Sequence, residues 1–232
     1  MGGHVVIGLI GILALAHGTI AEDLGTCNAH VTQSCSEIGS EWNAGPCNAL
    51  FGGFRGNSNS LHQLMVTQFQ DSFKLLAMGS YFSSDEVNRL GIHKTVVAQS
   101  DKHWSNGKAL MEYILKRGGR MGTQFKVSDV TMDNVKGEVE ALGATLDILK
   151  KGAERTNAAY RHALNKKMHY DDPGQDSFDP ALAHFLEEEF LASYTSEIRE
   201  TVGQLNLLAK IARDDKTRAM GLHLFDQHLL KA

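Results

Sequence analysis

Proline is scarce in this 232-residue sequence, which contains only three. Because proline interrupts helices, its scarcity favours long, unbroken ones. Charged residues are also spread along the chain: they make up 22% of it, the net charge is −4, and neither a basic patch nor a long run of like charge occurs. The sequence therefore gives no indication of nucleic-acid binding or of a disordered charged tail.

Familiar catalytic signatures are missing as well. The sequence has no Walker loop, no G-x-S-x-G element and no zinc-ligand spacing, so no nucleotide-binding or hydrolytic site is indicated. It also has no N-x-S/T sequon, because Asn57 and Asn59 both miss the pattern, and N-glycosylation is not expected.

Long apolar runs are absent except at residues 5–16. About a dozen apolar residues match the core of a signal peptide and are too few to span a bilayer. Thr19, Ile20 and Ala21 supply small residues for cleavage after Ala21, so residues 1–21 are predicted to be a signal peptide. The alternative is a buried N-terminal helix, since Lys and Arg are missing before the run. The prediction is a secretory protein without a membrane span.

Cysteine is confined to one segment. Cys27, Cys35 and Cys47 lie within residues 22–56, which lack a helical period and are interpreted as an irregular extension before a domain at 57–232. In an oxidising compartment three cysteines cannot all pair within one chain, so one is free or bridges to another subunit. A zinc site is the alternative, although no C-x-x-C pair occurs.

Apolar residues recur at helical spacing in five later segments, at about 58–82, 90–119, 133–170, 180–211 and 217–230. Four long helices and a short fifth fit an all-α antiparallel bundle, with residues 120–132 as a candidate crossover. The fifth is apolar enough to predict a role in assembly, and its removal is expected to leave the bundle folded.

The second segment ends with basic residues and the pair Gly118-Gly119, which are helix-termination signals. Its ends carry an apolar face, but its centre, residues 100–106, is polar nearly all round. Polar groups at core-facing positions of a long helix indicate a site or the remnant of one.

Four strings in these segments resemble ferritins. They are Met78-Gly79-Ser80-Tyr81-Phe82, Lys116-Arg117-Gly118-Gly119-Arg120, Phe185-Leu186-Glu187-Glu188-Glu189-Phe190-Leu191 and Gly221-Leu222-His223-Leu224-Phe225-Asp226-Gln227-His228. Together with Gly45-Pro46-Cys47-Asn48-Ala49 in the extension, they are similar to secreted insect ferritin subunits of the light-chain type. The resemblance implies a ferritin-like four-helix bundle with a long crossover and a short fifth helix.

The resemblance also implies where a di-iron ferroxidase site would stand. The corresponding positions are Gln68, Leu75, His103, Asn106, Lys150 (or Lys151 in a shifted register) and Tyr194. Iron favours carboxylate and imidazole ligands, and a lysine among them would repel it. The chain is therefore expected not to be an enzyme. His103 is interpreted as a core or solvated histidine, with weak metal binding as the alternative.

Three further residues are candidates for metal contact. His184 and Glu187 are three apart on one helix and, by the resemblance, line a three-fold channel; the alternative is a solvated acidic face formed by Glu187, Glu188 and Glu189. Asp101 is a weak candidate for mineral nucleation, since a single carboxylate is not a cluster.

The function expected from the resemblance is that of a catalytically inactive subunit. It would assemble with a heavy-chain-type ferritin subunit into a 24-subunit hetero-oligomeric shell that stores and transports iron as a ferric mineral. The expected location is the ER–Golgi lumen or an extracellular fluid such as haemolymph. The alternatives are a secreted four-helix interaction protein without iron storage, and an atypical active ferroxidase.

Overall fold

The computed structural model describes residues 49–121, 135, 137–165 and 177–231. These residues form six α-helices and a π-helical turn, and no strand occurs among them. The helices are α1 (Phe54–Phe82), α2 (Leu90–Lys116), α3 (Glu138–Ala163), α4 (Pro180–Leu186), α5 (Ala192–Ala212) and α6 (Arg218–Lys231). The π-helical turn, Glu187–Leu191, joins α4 and α5 into one continuous fourth helix. None of the described helices is long and apolar enough to cross a membrane. The predicted all-α fold is confirmed, whereas the predicted signal peptide and most of the predicted extension lie outside the described residues.

Helix α1 begins four residues before the predicted start at Ser58. The Ser-Asn-Ser run resembles a capping cluster, but tertiary contacts extend the helix backwards. Phe54 is fully buried, and Gly53 packs so closely on the Ser177–Phe178 backbone that a Cβ would lie 2.5 Å from the Ser177 carbonyl carbon. The side chain of Asn57 then donates from within the helix to the carbonyls of Gly53 (2.8 Å) and Ser177 (2.6 Å).

Helix α2 ends as its sequence predicts. Gly118 has a φ of 79°, a left-handed conformation that glycine adopts without strain. The N–H of Gly119 donates to the carbonyl of Ile114 (2.8 Å), and that of Gly118 to the carbonyl of Leu115 (3.1 Å). This pair of bonds is the Schellman motif, and it stops the helix at Lys116.

Helix α3 is shorter than the predicted span of 133–170 at both ends. It begins at Glu138, after Gly137 in an extended conformation with φ −151°. It ends at Ala163, whose carbonyl accepts the Asp179 N–H (2.7 Å) instead of continuing the helix. That contact ties the end of α3 to the residue that begins the fourth helix.

The helix directions require a long crossover. Gln68 and Ser72 of α1 bond to His103 and Ser100 of α2, so these helices are antiparallel. On the other side, Asp71 of α1 pairs with Arg155 of α3 while Asn57 pairs with His162, which is antiparallel again. Helices α2 and α3 therefore run in the same direction, so the end of α2 and the start of α3 lie at opposite ends of the bundle, about 40 Å apart for a helix of this length. About twenty residues join them, and an extended chain of that length reaches about 66 Å.

The π-helical turn keeps one face of the fourth helix buried. Leu182, Leu186, Phe190 and Tyr194 are all buried and are spaced four apart. In an α-helix residues four apart drift by about 40° around the axis, so this row would rotate out of the core. Widening one turn removes part of the drift, and it is this local change that keeps Phe190 and Tyr194 in line with α4.

Helix α6 belongs to the bundle core. Phe225 and Leu229 are each 4% exposed and pack with residues of α1, α2, α3 and α5. The carboxylate of Asp226 accepts hydrogen bonds from the N–H groups of Gly91 (2.8 Å) and Ile92 (3.0 Å), so α6 caps the first turn of α2. Removing α6 would uncover these core contacts, so the truncated bundle is expected to be less stable, and its folding stays a prediction.

The predicted core is mostly correct, with exceptions at helix edges. Leu61, Leu64, Met65, Phe69, Leu75 and Met78 are buried, as are Val96, Leu110 and Ile114. Phe73, Leu76 and Leu90 belong to the same helical spacing of apolar residues, which predicts that they face inward, but they are 38–43% exposed. The apolar face of α1 is wider than the surface its partner helices cover.

Candidate functional site

A neutral hydrogen-bonded cluster occupies the middle of the bundle. Gln68 of α1 accepts through Oε1 from His103 Nδ1 of α2 (2.7 Å) and donates through Nε2 to the Tyr194 hydroxyl of α5 (2.8 Å). All three side chains are at most 2% exposed. The structure thus brings together three of the positions that the sequence analysis singled out, and we call them the central cluster.

Helical spacing explains how α2 contributes to this cluster. Ser100, His103 and Asn106 are three residues apart and all are buried, while Asp101 and Lys102 between them are exposed. Ser100 donates to the Ser72 carbonyl of α1 (2.8 Å), which fixes the two helices one turn from Gln68. The polar centre of the second segment is therefore half interior and half surface.

Burial keeps His103 neutral. Since the Gln68 carbonyl oxygen can only accept, Nδ1 carries the proton, and Nε2 is a buried nitrogen without a hydrogen-bond partner in the described part of the chain. Desolvation lowers the pKa of His103 from 6.5 to about 4; the charge of Asp71 opposes this shift and that of Arg155 adds to it. The interpretation of His103 as a hydrogen-bonded core histidine agrees with this geometry.

Tyr194 fills the space between α5 and α3. The residue opposite is Gly152, and a Cβ built there would lie 2.5 Å from the tyrosine hydroxyl oxygen. Burial raises the pKa of Tyr194 to about 12, so its hydroxyl is protonated and uncharged at neutral pH. The phenol and the glycine are complementary in volume, and any larger residue at position 152 would displace the ring.

Lysine does not enter the cluster. Lys150 and Lys151 are both exposed on α3, whereas Leu149 and Gly152 face inward. The expectation that a lysine ammonium would lie among Gln68, His103 and Asn106 is therefore not met. An ammonium reaching solvent avoids the cost of desolvation that an interior position would impose.

The buried carboxylate nearest to the cluster in sequence was not singled out from the sequence. Asp71 of α1 is three residues from Gln68 and 5% exposed. It accepts from Arg155 Nη1 of α3 (2.9 Å) and lies 3.5 Å from Lys74 Nζ. Its spacing of three from Gln68 was a usable signal, since residues three apart share a helix face.

The central cluster does not fit a pair of iron ions. Its polar groups are an amide, a neutral imidazole and a protonated phenol, whereas two ferrous ions need several anionic oxygens. Asn106 adds only a buried amide, Leu75 only a fully buried aliphatic side chain. Within the described ranges, no group of three or more His, Cys, Asp and Glu residues is arranged to hold a metal ion.

The fourth helix presents an acidic surface at its π-helical turn. His184 and Glu187, predicted to share a face, are both exposed. The histidine contacts Glu188 instead, with Nε2 of His184 3.3 Å from Glu188 Oε2. Asp101 is exposed on α2, beside the exposed Lys102. Cys27, Cys35 and Cys47 lie outside the described residues.

The chain is similar in sequence and in fold to known proteins. Residues 58–211 match the model of the ferritin-like domain family. The chain is 28% identical to the ferritin light chain of Trichoplusia ni over 223 residues, 92% of this chain and 93% of that protein. It is also 28% identical to the Trichoplusia ni ferritin heavy chain, over only 76% of this chain and 80% of that protein. The crystal structure of Trichoplusia ni secreted ferritin is similar in fold, with a TM-score of 0.69 and 28% identity, over 89% of this chain and 98% of the other.

The light-chain and heavy-chain relatives of Trichoplusia ni are equally identical to this chain, but they differ in how much of it they match. The light chain matches 92% of the sequence and the heavy chain 76%. The helix order and the short final helix also agree with the expected bundle. This chain therefore belongs to the ferritin family, and its resemblance to secreted insect light chains is confirmed.

Proposed function

We propose that this chain is a catalytically inactive ferritin subunit that co-assembles with a ferroxidase-active, heavy-chain-type subunit in an iron-storing shell. Family membership supports iron storage in general. The inactivity and the co-assembly are the specific content of the proposal.

The observation that carries the proposal is the neutral central cluster. A ferroxidase centre requires carboxylates that balance the charge of two irons. Here Gln68 is bonded on both sides, and Tyr194 fills the space next to Gly152. A ferrous ion entering this volume would have to break both hydrogen bonds of the glutamine and would gain no anionic ligand from the cluster. The side chains of this interior therefore serve packing and not iron binding.

Exposed apolar side chains support assembly. Trp104 of α2 is 43% exposed and contacts Phe73 of α1 edge to face, with ring centroids 6.0 Å apart. Met220 and Leu224, four residues apart on α6, are 70% and 60% exposed. These exposed apolar side chains on α2 and α6 favour burial by other subunits. A 24-subunit stoichiometry follows the family resemblance.

A secretory or extracellular location is proposed on two grounds. The N-terminal run at residues 5–16 has the length of a signal-peptide core. The similar structure is that of a secreted ferritin, and its similarity extends over 89% of this chain.

Co-purification tests the assembly part of the proposal. The chain is produced in insect cells, alone and together with a heavy-chain-type subunit, and each product is analysed by native mass measurement and for iron content. The proposal predicts a shell that contains both chains and gains iron. A chain that stays monomeric beside the heavy-type subunit, without iron, would favour the four-helix interaction protein.

A further inference from the structure

A groove between α1 and α3 lies apart from the central cluster. It has a volume of about 450 Å³, within the range of small-molecule sites. One wall is formed by residues of α1, including Ser60, Leu64 and Thr67, and the other by residues of α3, including Arg155 and His162. Because α1 and α3 are antiparallel, the pair Thr67 and Arg155 marks one end and Ser60 and His162 the other. Seven residues of helix separate the ends, roughly 10 Å.

The floor of this groove is apolar and rigid. Leu64 and Ala159 are 4% and 6% exposed and belong to the packed interior. Ala158 lies beside them on α3 and is exposed, so this part of the wall is formed by a methyl group. Small side chains on α3 therefore create the groove, and a hydrocarbon chain can pack on its apolar floor.

The Thr67 end of the groove is charged. Asp71 is the carboxylate there, and two cations share it: Arg155 Nη1 at 2.9 Å and Lys74 Nζ at 3.5 Å. The Arg155 side chain is still 42% exposed, and its guanidinium has further N–H donors besides the one bonded to Asp71. A guanidinium at the rim of an apolar groove is suited to a carboxylate, which it binds with two parallel hydrogen bonds.

The opposite end is fixed and polar. Nδ1 of His162 lies 2.8 Å from the Asn57 side-chain oxygen, and Asn57 in turn donates to two buried backbone carbonyls. The imidazole is thus held in place at the end of the groove, which limits its length. Among the described residues that line the groove there is no aspartate or glutamate.

We propose that the α1–α3 groove binds an amphipathic carboxylate, such as a medium-chain fatty acid. The acyl chain lies over Leu64, Ala158 and Ala159, and the carboxylate bonds Arg155. This inference does not depend on whether the chain oxidises iron.

Isothermal titration calorimetry with decanoate, below its micelle concentration, tests the proposal on the purified, assembled protein. Decanoate is expected to bind once per chain, and decanol, which lacks the charge, at least about tenfold more weakly, as the loss of a charge-assisted bond predicts. Ala158→Phe fills the groove from an exposed position and should abolish binding. Ala98→Phe is the matched control, because Ala98 is an exposed alanine on α2, and it should bind as the original protein does.

Three results would overturn the proposal. They are the absence of decanoate binding, equal binding of decanol, and unchanged binding in Ala158→Phe. The last of these would mean that decanoate binds at another surface of the assembly.

Discussion

Acid should destabilise this protein through His103. The imidazole is 1% exposed and its pKa is about 4 in the folded chain, against 6.5 in the unfolded chain. Between these pH values the unfolded chain binds a proton that the folded chain does not, so folding becomes less favourable as the pH falls. The stability from this residue is fully present above about pH 6.5 and is lost progressively as the pH falls to about 4.

The pKa values give the size of the effect. The difference between 6.5 and about 4 corresponds to about 3 kcal/mol of unfolding free energy lost across this interval. A protonated His103 would also place an N–H at Nε2, where the described residues offer no acceptor. Both consequences have the same origin, the burial of a base without a second partner.

Urea unfolding measured at several pH values, for the original protein and for His103→Gln, checks this. The glutamine amide can still donate to Gln68 Oε1 but has no proton to gain. The variant should lose stability at pH 7 by its poorer packing, and its unfolding free energy should fall by about 3 kcal/mol less than that of the original protein between pH 7 and pH 4. His93→Gln, at a half-buried histidine of the same helix, is the control and should retain the pH dependence of the original protein. Parallel pH profiles of the original protein and His103→Gln would refute the reasoning.

Three further predictions concern the interior, the final helix and the cysteines. Ferrous oxidation should not be conferred, while Tyr194 remains, by the set Gln68→Glu, Leu75→Tyr, His103→Glu, Asn106→His and Lys150→Glu. The reason is that the phenol fills the space and position 150 is exposed. Adding Tyr194→Gln is the comparison, and oxygen consumption is the measurement. Phe225→Ala should cost about 3–5 kcal/mol of unfolding free energy, whereas Leu224→Gln on the exposed face of α6 should leave folding intact and reduce assembly; equal unfolding midpoints for the two variants would contradict this. Non-reducing gels should show one intrachain bridge and a covalent dimer with a second subunit that reduction separates; a single monomeric band under both conditions, with a free thiol, would reject the intersubunit bridge.

Much of the fold could be predicted from local sequence signals. The double glycine after α2 ends that helix as predicted, because one residue there needs a positive φ. The five apolar segments gave the helices of the bundle in order, and the fourth and fifth have the predicted bounds to within one residue. The family resemblance, resting on short strings in four helices, was confirmed by the comparison.

Other features depended on contacts that local patterns do not contain. The start of α1 is set by the Ser177–Phe178 backbone, far away in sequence. The π-helical turn arises because four buried residues at a spacing of four must face one core. A uniform helical period, which the sequence analysis assumes, does not predict such a turn. The pairing of His184 with Glu188, in contrast, is of the kind that a uniform helix predicts, because residues four apart share a face.

The error about the lysines was avoidable. The apolar period of the third segment placed Leu142, Leu146 and Leu149 inward, and a residue one step beyond Leu149 is turned about 100° away from it. The family register assigned Lys150 to the interior, and the period of the chain itself assigned it to the edge. The structure follows the period.

Ferrous oxidation by this chain alone tests the central claim most directly. The purified chain, free of any heavy-type subunit, is mixed with ferrous iron under air in a stopped-flow instrument, and oxygen consumption is followed. Because Gln68, His103 and Tyr194 form a neutral, closed cluster, oxidation should be no faster than in buffer. A fast, saturable phase in the unmodified chain, lost in a Gln68→Ala variant, would contradict the account.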